Sequence, residues 1–203
     1  MIDDSSQQAR TRAPRMPLEE RRASLVEAAI PLILDRGADV TTREIADAAG
    51  VAEGTIFRAF ADKTALIDAA VARVMDPSQT VAALAGIDAA LPLEDKIERI
   101  VTALHRRVAG VVRFMTALGP RDHARHEKAR GEHRRPPLGE ATAAVTALLE
   151  PDAHRLRVPV ATAVEYLRIL VFGTTMPFLA SDAGSDPAEL ADFILRGIAK
   201  EGD

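Results

Sequence analysis

Residues 41–60 read TTREIADAAGVAEGTIFRAF. Thr41 is followed three positions later by Glu44, the pairing of a capping box at the start of a helix. Ile45, Ala46 and Ala49 then fall on one helical face. Gly50 takes a backbone turn that a bulkier residue resists, and Val51 plugs the corner behind it. A second short helix runs from about Glu53 to Phe60 and buries Ile56 and Phe60. Two short helices, a tight glycine turn and small residues at the crossing predict a helix-turn-helix, whose second helix has the girth of a B-DNA major groove, about 12 Å wide. Spacing alone also fits an ordinary αα-hairpin.

Outward from this segment the helical period persists. Leu18, Leu25, Val26, Ala29, Ile30, Ile33 and Leu34 recur at helical spacing after Pro17, and Gly37 is placed as a C-cap. Asp62 is an N-cap for a helix carrying Leu66, Ile67, Ala70, Val71 and Val74, which Asp76-Pro77 ends. A short Ala-rich piece spans residues 79–90. Pro92 opens a long amphipathic run to Leu118, broken by Gly119-Pro120; further helices are expected at 138–149, from Pro159 to Ala180, and from Asp186 onward. No run alternates with period 2 and no repeat is present. The chain reads as all-α, with about nine helices. It divides into a flexible basic arm (1–16, with Arg10, Arg12 and Arg15), a helix-turn-helix domain (17–76) and a C-terminal helical domain (77–203).

Composition narrows the function. The chain has 203 residues, 47% apolar, enough for a sizeable core. It has no Cys, which excludes disulfides, thiolate metal sites and a Cys nucleophile. No stretch approaches the roughly 18 apolar residues of a membrane span, and residues 1–16 lack the apolar core of a secretory signal, so a cytoplasmic protein is expected. No Walker-type loop, G-x-G-x-x-G, H-E-x-x-H or G-x-S-x-G is present, so an enzyme is not expected. The net charge is −4. Residues 1–76 hold ten Lys/Arg against thirteen Asp/Glu, so a DNA-reading face requires the acids to point elsewhere.

The stretch GADVTTREIADAAGVAEGTIFRAFADKTALIDAAV, residues 37–71, resembles the TetR family of bacterial transcriptional regulators. The matching features are TT-R, IA-x-x-AGV, G-T-x-[aromatic]-x-x-F and K-x-x-L, within a similarity over about residues 18–75. The resemblance implies a sequence-specific DNA-binding regulator, a repressor released from a palindromic operator by a small-molecule ligand. It implies phosphate contacts from Thr41, Thr42 and Lys63, a phosphate or guanine contact from Arg43, and base-edge contacts around Glu53, Gly54 and Thr55, with Phe57 and Arg58 on the same helix. Glu53 suits a cytosine amino group and the Thr55 methyl suits thymine. Plain helix capping is the competing role for the threonines, a solvated surface for Arg58 and core packing for Phe57. Three departures from the family pattern stand out. Phe57 lacks the hydroxyl of the usual Tyr, Ala59 replaces a common His, and Ala52 replaces a common Ser, leaving the second helix without a side-chain N-cap.

One helix-turn-helix buries little surface, so a homodimer through the last two helices is expected. Ala161, Ala163, Leu167, Leu170, Gly173, Thr174, Leu190, Phe193, Ile194 and Gly197 are candidates for that seam, or for the subunit's own core. The resemblance also implies a small, apolar ligand bound among the middle helices. Candidate lining residues are His105, Phe114, Met115, Phe172, Met176 and Phe178. No cofactor and no metal are expected. His123, His126, Glu127 and His133 have suggestive spacing, but they stand among Arg121, Arg125, Lys128, Arg130, Arg134 and Arg135, which oppose a cation. That segment, 121–137, reads as solvated. The alternative reading of the whole chain is a helical adaptor that kept the motif and lost specific DNA binding.

Overall fold

The computed structural model describes residues 17–119, 139–176 and 186–199. The basic arm, the His- and Arg-rich segment 121–137 and Phe178 lie outside the described residues. Among the described residues the chain forms nine α-helices: α1 (Leu18–Arg36), α2 (Thr42–Ala48), α3 (Gly54–Ala59), α4 (Lys63–Met75), α5 (Ser78–Ala85), α6 (Leu93–Leu118), α7 (Gly139–Leu149), α8 (Val160–Thr175) and α9 (Pro187–Ile198). Two 3₁₀ turns, Gly37–Asp39 and Glu150–Arg155, complete the elements. An isolated antiparallel bridge joins Leu156 to Ala199.

The boundaries follow local chemistry. Asp62 accepts from the Ala65 amide and caps α4. Asp186 does the same for α9 through Ala188, with Pro187 in the first turn, where its missing N–H costs nothing. Gly37 ends α1 at φ +64°, ψ −146°, a conformation reserved in practice for glycine. It has a second reason to be glycine, since a Cβ there would lie 2.4 Å from the Ala117 carbonyl oxygen. The corner after α1 therefore sits directly on the last turn of α6.

Two apolar cores are built. One joins Leu25, Ala29, Ile33, Val40, Ile45, Ile56, Phe60 and Leu66 from α1–α4. The other joins Leu84, Leu93, Ile97, Ile100, Leu104, Val145, Leu149, Ala163, Leu167, Val171, Leu190 and Ile194 from α5–α9. Helix α6, about 39 Å long at 1.5 Å per residue, serves both. Its first four turns lie in the C-terminal core, whereas Phe114 and Leu118 are buried in the N-terminal one. Two sequence expectations change here. Phe114 and Met115 pack with the helix-turn-helix core rather than among the middle helices, because they fall beyond the point where α6 passes from one core to the other. Ala163, Leu167, Leu190 and Ile194 face their own subunit's core, because α8 and α9 both pack on α6.

Candidate nucleic-acid interface

The capping box forms as the sequence predicts. The Thr41 side chain accepts from the Glu44 amide at 3.2 Å, and the Glu44 carboxylate accepts from the Thr41 amide at 2.9 Å. That backbone N–H, with help from the Thr41 hydroxyl and then Arg36, holds the Glu44 carboxyl below the usual carboxylate range. Helix α2 ends at Gly50, φ +67°. The Gly50 amide donates to the Asp47 carbonyl at 3.1 Å and the Val51 amide to the Ala46 carbonyl at 3.0 Å, the paired bonds of a Schellman ending. Nothing lies within 4 Å of where a Gly50 Cβ would stand, so this glycine answers to backbone conformation alone.

Ile56 and Ala59 are buried and anchor α3. The first residue of its approach, Glu53, makes no side-chain cap, in keeping with Ala52 in place of the usual Ser. The outer face of the motif carries Arg43, Glu53, Gly54, Phe57 and Arg58, all exposed, with Thr55 half-buried. Phe57 is 55% exposed and is not a core residue. Among the described residues, Arg43 and Arg58 have no ion-pair or hydrogen-bond partner for their guanidinium groups. Both are therefore available to a phosphate or a guanine edge.

The threonines and the lysine are already engaged. A hydroxyl has one proton to give. That of Thr41 goes to Glu44 Oε2 at 2.9 Å, and that of Thr42 to Glu53 Oε1 at 2.5 Å. The Lys63 ammonium donates to the Ala38 carbonyl at 2.6 Å, which ties the start of α4 to the turn after α1. Lys63 thus braces the motif from behind, whatever its remaining donors reach.

Other residues that position α3 were not singled out from the sequence. Arg22 of α1 donates to the Ala59 carbonyl at 2.9 Å and lies over the Phe60 ring, 4.6 Å from its centroid. It holds the C-terminal end of α3. Its signal was present: Arg22 precedes Leu25 by three residues and Val26 by four, which puts it on the buried face of α1. Arg107 of α6 donates to the carbonyls of Val74 and Met75, closing the C-terminal end of α4 from the other domain.

Of the ligand-pocket candidates, His105 is half-buried on α6, and Phe172 and Met176 are half-buried against the C-terminal core. No group of three or more His, Asp or Glu side chains among the described residues is arranged to hold a metal. No described helix is long and apolar enough to cross a membrane.

Residues 25–70 match the model of the tetR family of bacterial regulatory proteins. Those residues span α1 to α4, with the capping box, the Gly50 turn and α3 inside them. The N-terminal domain carries the helix-turn-helix of the TetR family. Solved structures agree over the length of the chain. NalD, the secondary repressor of the MexAB-OprM multidrug efflux pump in Pseudomonas aeruginosa, is 19% identical, with TM-score 0.52, over 92% of this chain and 100% of its own. The TetR regulator SCO0520 from Streptomyces coelicolor is 22% identical, with TM-score 0.55, over 89% and 99%. A TetR-family regulator from Mesorhizobium loti is 15% identical, with TM-score 0.58, over 92% and 100%. At such identities these likenesses establish the fold. No curated protein matches. The family match covers the helix-turn-helix domain and does not extend into α5–α9.

Proposed function

We propose that this TetR-family protein is a cytoplasmic, homodimeric repressor that leaves a palindromic operator when a small apolar ligand binds its C-terminal domain. The observation that carries the DNA reading is the outer face of the motif, where Arg43, Phe57 and Arg58 stand exposed with no competing ion pair. The arginines supply phosphate or guanine contacts, and Phe57 supplies an apolar surface for a thymine methyl or a sugar. The dimer reading rests on Tyr166, Ile169 and Phe193, which leave large apolar surface exposed on α8 and α9. For the ligand, His105, Phe172 and Met176 are the lining candidates on described elements of the C-terminal domain.

Selection from a random duplex library at two salt concentrations tests the proposal. Recovery of an inverted repeat with half-sites about one helical turn apart is the expected result. Arg43→Ala and Arg58→Ala should each weaken binding and flatten its salt dependence. If no motif is enriched, and the weak binding at low salt survives both substitutions, the repressor reading is overturned and the adaptor reading takes its place.

A further inference from the structure

Glu53 is an unexpected residue at the leading edge of α3. A carboxylate facing DNA meets a wall of phosphates, and residues 1–76 are already net negative, ten Lys/Arg against thirteen Asp/Glu. Yet this carboxylate is not turned aside into an ion pair. One oxygen, Oε1, accepts the Thr42 hydroxyl proton at 2.5 Å across eleven residues of sequence. Glu53 has no other hydrogen-bond or ion-pair partner among the described residues. The group is therefore half-anchored, with one oxygen fixed to α2 and the other presented at the exposed face of the motif.

A carboxylate only accepts. In the major groove, guanine offers N7 and O6 and thymine offers O4, all acceptors that repel it. Adenine offers its N6 amine, but with the N7 acceptor beside it on the same edge. Cytosine offers the N4 amine with no acceptor on its outer side. We propose that Glu53, oriented by Thr42, makes each half-site demand a cytosine at one fixed position. Thr42 is a positioning residue, since its only hydroxyl proton is spent on Glu53 and is not given to DNA. The inference rests on the DNA-binding reading above and adds the device, the Thr42 hydroxyl on Glu53, that fixes the carboxylate for the base it selects.

The test is library selection with the full-length protein, wild type against Glu53→Ala, Glu53→Gln, Thr42→Val and Thr42→Ser. Wild type should prefer cytosine at one position of the half-site by about fivefold or more. Glu53→Ala should erase that preference and leave the other positions as they were. Glu53→Gln should move it to adenine, because an amide pairs with N6 and N7 together. Thr42→Val should weaken the preference at that same position, and Thr42→Ser, which keeps the hydroxyl, should restore it. Matched thermal melts confirm that the variants are folded. A wild-type motif that Glu53→Ala leaves unchanged at every position overturns the inference while the DNA reading stands. So does a Thr42→Val profile that matches wild type. Failure of the wild-type protein to enrich any motif overturns both.

Discussion

Lys96 is the most deeply buried charged side chain described, 1% exposed near the start of α6. Its ammonium donates to the Ala89 carbonyl at 3.0 Å and pairs with Asp152 in the turn after α7, and Arg155 links that turn to Glu94 at 2.9 Å. A paired buried charge is tolerated, whereas one left alone is not. Lys96→Ala should therefore cost about 3–5 kcal/mol, read as a lowered urea midpoint. The double change Lys96→Met, Asp152→Leu should recover most of that loss, because no charge is left unpaired. Glu44 makes a different prediction. Its lowered pKa means that the folded state favours the charged carboxylate. That stabilisation is present above the ordinary carboxylate range and is lost as pH falls through the lowered value. Asp76, held down by the hydroxyl and then the amide of Ser78, acts in the same direction. Stability measured from pH 7 downward should fall below about pH 4, and Glu44→Gln should flatten that fall.

At the scale of elements, two glycines with nearly equal φ carry unequal constraints. Gly50 turns the chain between α2 and α3 in open space, while Gly37 turns it against the Ala117 carbonyl. Gly50→Ala should cost about 1 kcal/mol from backbone conformation alone. Gly37→Ala meets both a forbidden φ/ψ region and a backbone atom, so it should cost clearly more than the roughly 1–3 kcal/mol of strain by itself. Paired thermal melts of the two variants measure the difference, and equal shifts would show that the corner does not press on α6. Helix α3 is held in the same composite manner. Six residues cannot hold a helix by propensity. Ile56 and Ala59 sink into the core and Arg22 grips the far end, which leaves Phe57 and Arg58 outward.

For the whole molecule, the unit that matters is α6. It lends Phe114 and Leu118 to the helix-turn-helix core, closes α4 through Arg107 and forms the axis on which α8 and α9 pack. The expected division near residue 76 is thus a boundary in the chain but not in the packing. A fragment ending at Met75 would lack part of its own core and should show no cooperative melt. Phe114→Ala should cost about 3–5 kcal/mol, and it should lower hydrogen-exchange protection in α1 and α4, elements far from it in sequence. Protection reduced only in α8 and α9 would contradict this arrangement.

Much of the protein is legible in its sequence. The capping box, the Gly50 turn, the Asp62 and Asp186 caps and the limits of α6 depend on chemistry within a few residues, which the chain carries at every such place. The outward set Arg43, Glu53, Phe57 and Arg58 follows from the same period once Ile56 and Phe60 are taken as core. Contacts between distant residues were not legible. Helical period shows that Phe114, Leu167 and Ile194 are buried, but not against which partner, because an apolar face is satisfied by any apolar surface. Nor does it show that the proton of Thr42 is spent on Glu53, that Lys63 reaches the Ala38 carbonyl, or that Lys96 meets Asp152. Those pairings are decided by where the folded chain brings side chains separated by 11, 25 and 56 residues. Chemistry local to each segment sets the helices and the helix-turn-helix motif. Tertiary packing decided which of the motif's side chains are free to meet another molecule, since a polar group held by its own protein must give up that bond before it can offer it elsewhere.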